Sequence, residues 1–302
     1  MASVNDALAG RFAVSQYTTW GQTFDEDIAL YERLGVECIE LCECKLSENA
    51  VTRRQQIRRL RDAGLRVTTV QPVVHALFPD SFSPEIKDVR RRAERYQRTI
   101  EWVGEELSEE KPPLVAIGGP APEYDFSYAH RFAREQYAAH AEVAARAGLS
   151  LAFEPLSSVY MNTDTFICTL HDAVSLVQDV AKPNFGLLLD VWHIWREPAV
   201  LSTIKELGHR ILAVHVSDWP SSEPRNQADR VIPGAGLADL AAIVGATEAA
   251  GYRGSYCLEL FSHESLEDSL SRADPAWVIT ESRAGLAAAF EAADAKSEIE
   301  EA

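Results

Sequence analysis

The strongest constraint on this chain is a unit that recurs along it: a short apolar run, a loop, a stretch of helical period, then a glycine. Strand-like runs are expected at 11–17, 38–42, 66–74, 114–117, 150–155, 185–191, 211–217 and 254–260. Several are almost continuously apolar, as in Leu-Val-Ala-Ile and Phe-Gly-Leu-Leu-Leu, which suits strands of a parallel sheet buried on both faces. Helices are expected at 24–34, 52–63, 84–107, 127–147, 165–180, 197–207 and 238–250, with a last one from about 273. Gly35, Gly64, Gly148, Gly208 and Gly251 follow five of them, where a left-handed stop is needed.

Eight such units without a break in composition predict a single (β/α)8 TIM barrel over residues 1–302, ordered from about 11 to 290. An acidic tail at 291–302 is expected to fray. A doubly wound open sheet fits less well, because no Gly-x-Gly-x-x-Gly follows the first strand.

Charge and cysteine use narrow the function. The formal charge is −17, which repels phosphate backbones and anionic bilayers, so no nucleic-acid or membrane partner is expected. No run approaches about 18 apolar residues, and the first dozen residues show no basic region followed by an apolar core. Five dispersed cysteines suit reduced thiols in a cytoplasm, and Cys42 and Cys44 lack a second pair to complete a zinc site. The run Arg90, Arg91 and Arg92 on the long helix is expected to be a solvated face.

Four of the expected strands end on an ionisable residue. Strand five gives Glu154, strand six Asp190 and His193, strand seven His215 and Asp218, and strand eight Glu259. In a barrel the carboxyl ends of the strands ring one opening. One such carboxylate alone is ordinarily a cap or a salt-bridge partner. Four consecutive strands ending this way point to convergence on a ligand, because unpaired buried charges are costly. Three carboxylates and an imidazole suit one Mn²⁺, Mg²⁺, Co²⁺ or Zn²⁺ with positions open to substrate oxygens.

The segments Phe-Glu-Pro-Leu (153–156), Gly-Leu-Leu-Leu-Asp-Val-Trp-His (186–193), Val-His-Val-Ser-Asp (214–218), Asp-Arg-Val-Ile-Pro-Gly-Ala-Gly (229–236) and Leu-Glu-Leu (258–260) resemble the sugar phosphate isomerase/epimerase family of xylose isomerase-like barrels. The resemblance implies Glu154, Asp190, His215 and Glu259 as metal ligands, with His193 and Arg230 touching a small sugar or keto-polyol substrate. It also implies a homodimer or homotetramer. Glu154 and Glu259, from strands five and eight, are the expected proton carriers, moving a proton through an enediolate. Tyr17, Trp20, Glu43, Gln71 and His75, at the ends of the first three strands, are candidate pocket residues, with His75 and Trp20 foremost. Elimination from the same enediolate would make a lyase or dehydratase, and a non-catalytic sugar- or metal-binding subunit is the further alternative. The endonuclease branch needs additional histidines that strand four lacks, since it ends Ala-Ile-Gly-Gly-Pro.

Overall fold

Eight short strands pair in parallel in chain order: β1 (Phe12–Ser15), β2 (Cys38–Cys42), β3 (Arg66–Gln71), β4 (Leu114–Ala116), β5 (Leu151–Phe153), β6 (Phe185–Asp190), β7 (Ile211–Val216) and β8 (Tyr256–Leu258). β8 pairs with β1 and closes the barrel expected from the sequence. The computed structural model describes residues 8–220, 229–262, 264 and 266–300. The start of the chain and the last two residues of the acidic tail lie outside these.

Period two decides what each strand contributes. The faces turned toward the helices supply Val14, Ile39, Val67, Leu114, Phe153, Leu187, Val214 and Leu258 to one large core. The opposite faces fill the barrel with two small layers, Ala13, Cys38 and Cys257 in one, and Val115, Ala152, Leu188 and Ala213 in the other. Two residues further along five of these seven strands, on the same inward face, stand Glu40, Glu154, Asp190, His215 and Glu259. The apolar layers are therefore a floor, and the ionisable side chains sit directly above it.

The helices are α1 (Phe24–Arg33), α2 (Ala50–Asp62), α3 (Val89–Glu106), α4 (Phe126–Arg146), α5 (Leu170–Val180), the single turn α6 (Val191–Ile194), α7 (Val200–Leu207), α8 (Leu240–Ala249) and α9 (Pro275–Glu300). Caps explain where several starts differ from expectation. α3 begins at Val89 rather than Pro84, because the Asp88 carboxylate accepts the N–H groups of Arg90 and Arg91. α5 begins at Leu170 rather than Thr165, because Thr169 caps Asp172. Gly35 and Gly148 take φ of 60° and 71°, the left-handed stops foreseen for them. α9 carries helical backbone through Asp294 to Glu300, into the segment expected to fray, where alanine and glutamate favour helix. Among the described residues no helix is long and apolar enough to cross a membrane.

One expectation about α3 is corrected. Arg92 is not part of a solvated face: it is 1% exposed. Its guanidinium donates to Asp80 Oδ1 (3.0 Å), to Ser83 Oγ (2.7 Å) and to the carbonyls of Ala76, Ser83 and Ile86. The run of three arginines straddles two sides of a helix, and the third turns inward to hold the loop after β3.

Candidate metal centre and active site

Glu154 and Glu259 follow β5 and β8 and extend their ladders, donating their backbone N–H groups to Ala116 O (2.9 Å) and Val216 O (3.3 Å). Asp190 closes β6 opposite His215 of β7. Asp190 Oδ1 caps α6 by accepting the N–H of Trp192 at 2.9 Å, which leaves Oδ2 free to face the barrel axis. One donor atom from each of Glu154, Asp190, His215 and Glu259 lies within 4.8 Å of the others, and all four residues are buried.

The donor set fits a divalent cation. His215 Nδ1 is buried without a hydrogen-bond partner, 3.3 Å from Glu259 Oε2 and 3.9 Å from Glu154 Oε1. Asp190 Oδ2 also lacks an aligned hydrogen bond, although Arg230 Nη1 lies 2.9 Å away. Lone pairs of three residue types thus converge in a buried place, where unmatched acceptors are destabilising.

Arg230 reaches deeper than a substrate contact requires. Its Nη1 is 2.9 Å from Asp190 Oδ2 and 3.0 Å from Glu259 Oε2, and its guanidinium lies against the rings of Trp192 and Phe261. A latch holds the segment that presents it. The Asp218 carboxylate accepts the N–H groups of Trp219, Gly234, Gly236 and Ala238. Asp218, one of the strand-end acids, is therefore a loop anchor rather than a ligand. Gly236 is required there, since a Cβ would fall 2.2 Å from Trp219 O.

His193 sits beside the cluster with a defined tautomer. The Ser157 N–H donates to Nδ1 at 3.1 Å, the shorter of two contacts, which places the ring proton of the neutral form on Nε2; Arg230 Nη2 lies 3.4 Å from Nε2. Nε2 is 3.6 Å from Asp190 Oδ2 and 3.8 Å from Glu154 Oε1. Burial, with Arg230 adding to it, holds the pKa of His193 well below the ordinary histidine value, so the ring stays neutral. The two glutamates are pushed apart. Burial and the neighbouring Glu259 raise Glu154 well above the usual carboxylate range. Burial acts upward on Glu259 too, but His215 and Arg230 outweigh it and hold Glu259 at about 2.

The first three strands contribute unevenly. Gln71, His75 and Tyr17 line the same pocket as Glu154, His193, Arg230 and Glu259. His75 donates Nδ1–H to Pro72 O at 3.0 Å and keeps Nε2 as an acceptor. Trp20 is 63% exposed at the rim, packed on Tyr17 over a neighbouring hollow and away from the ligand cluster. Glu43 is not in the pocket. Trp102, Thr99, Arg95 and the Val73 N–H all engage its carboxylate, which joins β2 to α3. Sequence reasoning missed Tyr160 and Phe261, which wall the pocket beside His193 and Arg230, and Glu40 below it.

A family model described as xylose isomerase-like TIM barrel matches residues 28–282. The chain belongs to that family. Among members with assigned activities, an L-ribulose 3-epimerase of Mesorhizobium japonicum is 28% identical over 138 residues, 45% of this chain and 42% of the relative. A 3-dehydroshikimate dehydratase of Pseudomonas putida is 24% identical over 245 residues, 80% of this chain and 36% of the relative. The matches thus span less than half the length of these relatives. Among solved structures, a protein from Sinorhizobium meliloti 1021 superposes with a TM-score of 0.76 at 25% identity, covering 93% of this chain and 97% of that one.

Proposed function

We propose that this chain is a divalent-metal-dependent isomerase or epimerase of a sugar or keto-polyol. The observation that carries the reading is the buried four-residue donor cluster, in which two carboxylates, Glu154 from the end of β5 and Glu259 from the end of β8, face one place. Two carboxylates beside one acidified C–H can divide the work, one taking a proton and the other returning it.

A cation held by Glu154, Asp190, His215 and Glu259 supplies Lewis acidity, which polarises a ketone oxygen and acidifies the neighbouring C–H. Glu259 Oε2 is the ionised group that takes the proton from carbon. Glu154 holds a proton and returns it, to the opposite face for epimerisation or to the adjacent carbon for isomerisation. His193 donates Nε2–H to a substrate oxygen, and Arg230 adds positive charge where the oxyanion develops. His75 Nε2 accepts from a hydroxyl further along the substrate. Phe261, Tyr17 and Tyr160 exclude water from the carbanion side.

A second reading, dehydration through the same enediolate, is favoured by the similarity to the dehydratase over 80% of this chain. Deuterium incorporation from D₂O separates the two. With protein loaded with Mn²⁺ and offered a panel of ketoses, inososes and 3-dehydroshikimate, the epimerase reading expects label at one carbon of recovered ketose and of its epimer. Stripping the ion with EDTA is expected to abolish that label. A dehydrated product would select the second reading, and no exchange with any compound would overturn both.

A further inference from the structure

Glu40 is the fifth ionisable residue above the apolar floor and belongs to none of the roles above. It stands at the centre of β2, fully buried, two residues beyond Cys38. Glu40 Oε2 lies 2.8 Å from His215 Nε2, on the side of the ring away from the ligand cluster. The other oxygen, Oε1, has no hydrogen-bond partner.

A carboxylate facing a ring nitrogen at this distance accepts a hydrogen bond from its N–H. His215 then carries hydrogen on Nε2 and a lone pair on Nδ1, the atom that faces Glu154 and Glu259. We propose that Glu40 is a positioning residue: by accepting Nε2–H it fixes the tautomer and the rotation of His215, so that Nδ1 is presented to the cation of the metal centre. The inference rests on the metal-centre reading above. Without an acceptor at Glu40 the ring could turn or shift its proton to Nδ1, and one of four donors would be lost.

A competing use of the same atoms is a second ion held by Glu40, His215 and Cys257, whose donor atoms also lie within 4.8 Å of one another. Two ions sharing one imidazole would require both ring protons to leave. The Glu40 contact has instead the length of a hydrogen bond, and Cys257 Sγ makes a hydrogen-bond contact with the Leu258 carbonyl at 3.9 Å. One ion with an oriented histidine accounts for the geometry more simply. Outer carboxylates of this kind typically contribute about 10–100-fold to metal affinity.

Zn²⁺ affinity, measured by competition with a chelating dye, tests the role alongside thermal unfolding of the metal-free protein. Glu40→Met is expected to weaken Zn²⁺ binding about 10–100-fold. Glu40→Gln, whose amide oxygen still accepts Nε2–H, is expected to lose less. In a His215→Gln background, Glu40→Met should cost nothing further, because Glu40 acts through that ring. Zn²⁺ affinity unchanged in Glu40→Met, equal losses in Met and Gln, or a second Zn²⁺ equivalent that disappears in Cys257→Ser would each overturn the proposal. If Glu40→Met does not fold, ¹⁵N-histidine spectra of the unmodified protein and of Glu40→Gln decide instead: the proton of His215 on Nε2 supports the role, and on Nδ1 overturns it. Failure of the unmodified protein to bind Zn²⁺ would remove the metal-centre reading itself. Without metal, burial acts downward on His215, but Glu40 and Glu259 outweigh it and hold its pKa well above the ordinary histidine value. The tautomer is therefore read at a pH high enough to leave one ring proton, and it would then test the Glu40 contact alone.

Discussion

Glu259→Gln is expected to slow proton exchange between solvent and a turned-over ketose by about 10²–10⁴-fold, the usual contribution of a placed general base. The substitution keeps shape and hydrogen-bonding length but removes the negative charge and the ability to take a proton. Because Glu259 is also one of the four donors, a lost ligand must be told apart from a lost base. Metal content measured on the same samples does this. Loading with excess Mn²⁺ is expected to restore occupancy without restoring exchange. A rate that returns with the metal would reduce Glu259 to a ligand and overturn its assignment as the base. The fall should appear in kcat more than in KM, since the carboxylate acts on the C–H in the transition state.

The four donor residues were readable in the sequence because each ends an apolar run, and a charge at the end of such a run needs a partner. Glu40 obeys the same rule in Cys-Ile-Glu-Leu-Cys, but it sits mid-strand rather than at an end. Period-two counting is the signal that could have found it: Cys38, Glu40 and Cys42 share one face, and that face is the barrel interior. Glu43 shows the opposite failure. It follows β2 directly, yet the chain enters a turn there, and Trp102 and Arg95 of α3 claim its carboxylate. Position relative to a strand end was legible, whereas direction after the last ladder residue depended on partners more than fifty residues away. Asp218 was ambiguous for the same reason. Nothing local to Val-Ser-Asp shows that three glycine-loop amides and one neighbour would consume all its acceptor capacity.

The pocket also shows how stability and chemistry are divided along the chain. The last four strands supply the four-donor cluster, while the first three supply Tyr17, Gln71 and His75 to the rest of the same pocket. His75 lies on the long loop after β3, and that loop has little regular structure to hold it. Two polar anchors replace it. Ser81 donates its N–H and hydroxyl to Asp164 across to the β5 loop, and Arg92 gathers Asp80, Ser83 and three carbonyls from below.

The second anchor makes Arg92→Ala the other large expected effect, about 3–5 kcal/mol of unfolding free energy, the usual result of removing one partner from a buried ion pair. Asp80 and Arg92 side chains are both 0% exposed, so the remaining carboxylate would have no water to turn to. The carbonyls of Ala76, Ser83 and Ile86 would lose their donors in the same step, each an added penalty. Urea unfolding of the purified protein measures the loss, and the double variant Arg92→Ala with Asp80→Ala shows its origin. Removing both charges is expected to recover part of the stability, because the uncompensated carboxylate is gone. If Arg92→Ala unfolds within about 0.5 kcal/mol of the unmodified protein, as ordinary surface substitutions do, the residue belongs to the solvated face after all. The same variant should raise KM for substrate more than it lowers kcat, since it loosens the loop that carries His75 and leaves the four ligands on their strands.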